Sequence, residues 1–278
     1  MRGIKLSVKL SLAVLLAYFA AAIYGEVQYR IARVRDVTPA YNVVDMSSRD
    51  LPPSREHWLG TDNLGRSVAL RLVQGSRIAF LVGVFTSLIA IPLGVVLGLA
   101  GGYFGGKTDS FVVWLCATVS SMPSLLFILA IALVAGKGLA GIVAGIGLTT
   151  WVGTCRTIRA ETMKHRSRAY VQAARTLGYS HARIMFRHIL PNVAHIVLIQ
   201  LSIRFPSAVS TEVFVSFLGI GVQGEPSWGV MINNARTRLW QGVWWEMVFT
   251  TLAIFSLVLV FNHLADVLRD KFDPALRE

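Results

Sequence analysis

The sequence predicts an all-α integral membrane protein with six transmembrane helices and a helix-turn-helix loop between the fourth and fifth. Three observations predict it. Of 278 residues, 54% are hydrophobic and 15% charged, a balance foreign to ordinary soluble domains. The apolar residues gather in blocks instead of alternating with polar ones, and roughly 18 apolar residues suffice to cross a bilayer core of about 30 Å as a helix. The polar stretches between blocks are too short for a soluble domain of any size.

Taken in order, the first block covers residues 8–24 and comes after a basic start. No small-residue cleavage site separates it from the polar stretch beyond, so it reads as a retained span and not as a signal peptide. Residues 26–77 are polar, with Pro39, Pro52, Pro53 and mixed charges. The second block, 78–100, contains Pro92 and several glycines, both commoner in membrane helices than in soluble ones. The third is 111–135 and the fourth 139–158; a polar segment, 159–192, precedes the fifth, which starts near 193, and the sixth is 243–265. The organisation expected is therefore an N-terminal transmembrane helix (1–25), an external loop (26–77) and a core of five further spans (78–278). An even number of spans puts both termini on one side, and a small excess of Lys and Arg there predicts that this side is cytoplasmic.

A formal net charge of +12 suggests nucleic acid in a soluble chain. Here the basic residues flank spans, and none of the basic stretches is interleaved with stacking aromatics, so no nucleic-acid partner is expected. Cys116 and Cys155 lie in apolar blocks without CxxC spacing and read as small buried residues. Neither H-E-x-x-H nor G-x-S-x-G occurs, and His165, His181 and His188 have no carboxylates at ligand spacing. No catalytic residue, metal site or cofactor is expected.

One motif points the other way. GGYFGGKT (101–108) fits the phosphate-binding pattern G-x-x-x-x-G-K-[ST] at every position. That loop works when a buried strand delivers the glycines and a helix N-terminus meets the phosphates. Here one apolar block precedes it and another comes after, so it reads as a tight hairpin between two membrane helices.

The most informative segment is YVQAARTLGYSHARIMFRHILPN (170–192). Tyr170, Ala173, Ala174 and Leu177 are at helical spacing, which predicts one shared face. Gly178 stops that helix, Ser180 caps a second, and Pro191 ends the second before the next span. Two readings fit the result. The small residues Ala173 and Ala174 let one face enter a partner's cleft, while the arginines equally suit a surface helix on anionic lipid.

Several stretches together resemble the inner-membrane permease subunits of binding-protein-dependent ABC importers of the dipeptide, oligopeptide and nickel type, the shorter member of a pair. These are HWLGTDNLGRSV (57–68), GGYFGGKTD (101–109), the segment 170–192 with its alanine pair, glycine and Leu-Pro, EVFVSFLGIGV (212–222), PSWGVMINNA (226–235) and LADVLRDKFDPALR (264–277). The resemblance covers most of the chain, and its order and spacing are more specific than any one motif. It implies the type I importer permease fold, with Tyr170, Gln172, Ala173, Ala174, Arg175 and Gly178 on a coupling helix seated in a separate ATP-hydrolysing subunit. Leu190 and Pro191 would return the chain to the membrane. It also implies a second, related permease, two ATP-binding subunits that hold ATP and Mg, an external solute-binding protein, and a multi-pass location in the bacterial inner membrane with residues 26–77 in the periplasm. The solute would be a peptide or a similar small compound.

Three departures from that family's pattern stand out. Gln172 replaces a usual Glu, which keeps hydrogen-bonding reach and drops the charge. Trp114 and Ala117 stand where an Arg and an Asp are common, as if an ion pair had been replaced as a unit. Thr250 and Thr251 replace a Pro-Gly step, so the sixth helix should be straighter.

Arg204, Pro206 and Glu212 interrupt the fifth block. Charges at membrane depth are candidates for the translocation path; otherwise Glu212 sits near the outer interface and Arg204 bonds backbone freed by Pro206. Trp228, Trp240, Trp244 and Trp245 are expected as interfacial anchors. The competing function is a secondary transporter or channel without an ATPase, for which the sequence would need internal repeats.

Overall fold

The computed structural model describes residues 6–136, 138–222 and 224–272. Arg2, Lys5, Lys137 and Arg277, which enter the charge balance, lie outside them, as does 273–277 of the C-terminal motif. Five helices are long and apolar enough to cross a membrane, and a bent pair passes the same test when its two helices are taken together, which gives six if that pair is one span. They are α1 (Leu6–Val34), α2 (Val68–Phe104), the pair α3 (Gly106–Ser121) and α4 (Ser124–Val134), α5 (Leu139–Arg166), a helix running from His181 to Phe217, and α10 (Trp245–Phe272).

The helices outrun the apolar blocks. The second begins ten residues before its block, capped by the Ser67 hydroxyl, which accepts from the Leu70 N–H. The third block is not one straight span: α3 and α4 meet at 91°. Pro123 explains the bend, because the residue before a proline avoids helical geometry, and Met122 is extended there (φ −85°, ψ 137°).

The bundle is built around α2. Gly94, Gly98 and Gly102, four apart, present one bare face to α5, the small-residue spacing that lets membrane helices approach closely. Arg159 on α5 pairs with Asp109 of α3, one bond measuring 2.6 Å. α1 is held by Tyr18, whose hydroxyl donates to Ala253 O of α10 at 3.1 Å, and by Arg77 of α2 on Glu26 at 2.6 Å. Cys116 and Cys155 are free, buried and facing, with sulfurs 3.7 Å apart.

At one end, residues 35–67 fold into short turns with a single bridge, Thr61 to Ser67. The TDNLGR part of the motif is a knot around Asp62, which accepts from the Leu64 and Arg66 N–H groups at 2.9 Å and from Arg66 Nε at 2.8 Å. Arg238 then ties this loop to α10, donating to Asp50 at 2.7 Å and to Glu246. Trp245 donates to Thr61 O at 2.9 Å, and Trp228, at the start of α9 (Trp228–Arg236), to Leu72 O at 3.0 Å. Both indoles are buried packing units and not interfacial anchors, because their N–H groups are consumed inside the protein. Trp240, 93% exposed, and Trp244 remain on the surface.

Candidate functional site

The other end holds the helix-turn-helix loop. α6 (Ala169–Thr176) is terminated by Gly178 at φ +75°. Gly178 N donates to Arg175 O at 2.9 Å and Tyr179 N to Ala174 O at 3.1 Å, the bond pair that closes a helix on a left-handed residue. Nothing lies within 4 Å of where a Cβ on Gly178 would be. The glycine is there for conformation, not for space.

Ser180 caps the next segment as expected, accepting from the Arg183 N–H at 3.3 Å. Pro191 does not end that helix. The short α7 (His181–Arg183) passes through a π-helical turn, Ile184–Ile189, into α8 (Leu190–Phe217) without a break. Leu190 N reaches back five residues to Met185 O. One wide turn absorbs the missing proline N–H, so Pro191 opens a helix instead of closing one.

The orientation of α6 corrects the sequence reading. Val171 is fully buried and Ala174 is 3% exposed, packed with Leu99, Tyr103 and Ile184. Ala174 is therefore rooted in the protein's own core, and Gln172, Ala173, Thr176 and Leu177 (71% exposed) form the outer surface. Tyr170 packs against the same core as Ala174, as its spacing predicts; its hydroxyl meets His165 Nδ1 at 2.8 Å, and burial pushes its pKa up, so it stays a neutral partner. Gln172 donates to Arg166 O at 3.1 Å.

Tyr103, one residue from the end of α2, is the seat for the loop. Its hydroxyl meets His181 Nδ1 at 2.9 Å, and the Arg175 guanidinium lies 4.8 Å above its ring. Sequence reasoning missed it. Its only signal was a tyrosine inside the glycine-rich turn. That turn is no phosphate loop, since residues 101–104 are the last turn of α2, and Gly105 and Gly106 (φ +68° and +51°) make the hairpin.

The two charged residues of the fifth block part company. Arg204 lies halfway along α8, and its Nε donates to Thr154 Oγ1 at 2.8 Å, not to backbone freed by Pro206. It also borders a polar recess shared with Thr86, Ser87 and Ser207. Glu212 is 1% exposed and accepts from Ser216 Oγ at 2.6 Å. Enclosed in this way, Glu212 lines no open space in this conformation, and no ion pair links it to Arg204 among the described residues. Trp114 and Ala117 both face outward from α3.

Residues 90–278 match the family described as "Binding-protein-dependent transport system inner membrane component". The chain belongs to that family. Among its relatives, a Bacillus subtilis dipeptide transport system permease protein is 37% identical over 233 residues, 84% of this chain and 73% of that protein. A glutathione transport system permease protein of Pectobacterium atrosepticum is 35% identical over 239 residues, 86% of this chain and 79% of the other. Two solved structures share the fold at 16% identity: a methionine ABC transporter (TM-score 0.58, 73% of this chain and 97% of that one) and an amino acid ABC transporter (0.54, 73% and 95%). The permease is thus a multi-pass inner-membrane component of an ATP-driven importer, and it works with a second permease, a separate ATPase and a solute-binding protein. Hydrolysis of ATP belongs to the ATPase.

Proposed function

We propose that the chain forms half of a pore importing peptides or similar small solutes, with α6 as the element that receives the ATPase's movement. One observation carries the reading of α6: its inner face, Val171 and Ala174, is rooted in the core formed with the π turn, α5 and the end of α2, while its outer face presents Ala173, Gln172 and Leu177 exposed among the described residues. A force on that face reaches α2 through Tyr103, Arg175 and His181, and reaches the membrane through the π turn, Leu190 and Pro191. Gly178 sets the angle between the two arms. Because Gln172 is uncharged, its contact with the ATPase is a hydrogen bond and not an ion pair. The complete transporter contains this permease, a related second one and two ATP-binding subunits, set in lipid, with both termini and residues 159–192 in the cytoplasm. Peptides are the proposed cargo because the similar relatives named above carry a dipeptide or glutathione. Arg204 is proposed to border the path, and Glu212 to brace α8.

Cysteine cross-linking to the co-expressed ATPase, in a Cys116/Cys155-free background, tests this. Ala173→Cys and Leu177→Cys should cross-link in a nucleotide-sensitive way, and Ala174→Cys should not. Cross-linking from Ala174 alone would overturn the assigned face, and none from any of the three would overturn the coupling role.

A further inference from the structure

An arginine at membrane depth needs a compensating partner, and Arg204 has no carboxylate within ion-pair reach among the described residues. Thr154 takes only its Nε. Gly153 is bare where the rest of the guanidinium passes, and a Cβ there would collide with Nη2. The guanidinium is thus half-buried at the seam where the middle of α5 meets the middle of α8.

One turn further toward the loop end lies a cleft of about 760 Å³ that Arg204 itself does not line; Ile203 and Gln200 are the lining residues nearest to it along α8. Its deep wall carries Thr157 and Gln200, three residues from Thr154 and four from Arg204, so each lies one turn along on the same helix face. Its mouth carries Lys164, Arg168 and Arg269. Glu161 is the one carboxylate of the lining, and Lys164 pairs with it at 2.6 Å. Among the described residues Arg168 and Arg269 have no ion-pair partner and set the sign of the field at the mouth, and Arg204 adds a further positive charge one turn beyond Gln200. Low-dielectric walls strengthen such a field.

We propose that Arg204 and this cleft form an anion-guiding track, and that Arg204 receives the free carboxylate of a solute, such as the C-terminus of a peptide, on its way through. Thr154 orients the guanidinium and leaves its Nη groups for the carboxylate, a geometry that favours Arg over Lys. The inference rests on the reading that this face of α5 and α8 borders the path. It adds that the permease itself, and not only the binding protein, discriminates by charge.

The test uses Gln200→Cys in the Cys116/Cys155-free permease, within the full transporter in inverted vesicles. Modification is timed with a sulfonate and with a trimethylammonium methanethiosulfonate, each rate divided by that with free 2-mercaptoethanol. The sulfonate is expected to win by about tenfold or more, the preference collapsing in Arg204→Gln and persisting in Arg204→Lys. Being a ratio within one sample, it does not depend on how much variant folds. Uptake of a dipeptide relative to its C-terminal amide should show the same pattern, the binding protein contributing equally in each variant. Labelling without charge preference, or a preference indifferent to Arg204→Gln, would overturn the inference alone and point to an acid of the neighbouring subunit. No labelling by either reagent, with or without nucleotide, would refute the path reading and this inference with it.

Discussion

Gly98 offers the sharpest quantitative trial of how the bundle is held. A Cβ there would lie 2.7 Å from Cys155 O and 3.0 Å from Ile158 Cβ, whereas ordinary contacts begin near 3.4 Å. Backbone cannot swing aside as a side chain does, so Gly98→Ala must push α5 away by about 0.7 Å, an overpacking strain of about 1–3 kcal/mol. Alanine in a helix returns up to about 1 kcal/mol of backbone entropy and propensity, so the net loss is about 0–2 kcal/mol, toward the upper end because the nearest atom is a backbone carbonyl. Gly25→Ala, within α1 and with its nearest atoms at 3.3–3.4 Å, is the control without a backbone collision. Both variants, purified in one detergent, would be heated and the monodisperse fraction tracked by size-exclusion chromatography. Gly98→Ala should lose its folded fraction several degrees below wild type, and Arg159–Asp109 cross-contacts should loosen with it. Equal or greater stability for Gly98→Ala would refute the claim that α2 and α5 touch through bare backbone.

Arg238→Met leaves the buried Glu246 carboxylate without its partner, a change that costs about 3–5 kcal/mol; residues 35–67 should become protease-sensitive, and Glu246→Gln in the same chain should restore much of the protection. Gly178→Ala meets no obstacle, so its cost is the left-handed conformation alone, about 1–2 kcal/mol; expression should survive while solute-stimulated ATPase activity falls, and Gly178→Asn should be milder. The Ser47 and Ser48 hydroxyls and the Ser47 N–H hold the Asp45 carboxyl below its usual range. A depressed carboxyl contributes its order above the ordinary value of 3.8 and loses it as pH falls through the folded value, so the protection of the Ser47 amide, its exchange relative to an unstructured peptide at the same pH, should be unchanged from pH 7 to 5 and be lost only below 3.8.

The spans are legible because length and apolarity alone decide them, and the loop's glycine and serine signals are local enough to be read. The features that escape sequence reading depend on partners far along the chain. Nothing in the run 111–135 tells a tilted span from one folded at Pro123, because lipid-exposed helices have no face that marks direction. Pro191 reads as a stop when its missing N–H is weighed without the π turn that accommodates it. Ala174 reads as an outer residue because small residues permit close approach on either side; the deciding neighbour is Val171, which shares its face. The Arg204–Thr154 and Arg238–Asp50 bonds join residues 50 and 188 positions apart, and no pattern at helical spacing reveals them.

The tie between Arg238 and Glu246 has a mechanical meaning. It grips the first turn of α10, a helix of 28 residues and hence a rod of about 42 Å. The far end of that rod carries Arg269, at the mouth of the basic cleft. A rod pivoting about its middle by 5° moves each end by about 2 Å, in opposite directions. A tilt imposed where residues 35–67 grip α10 would therefore reach the mouth of the cleft within a single secondary-structure element.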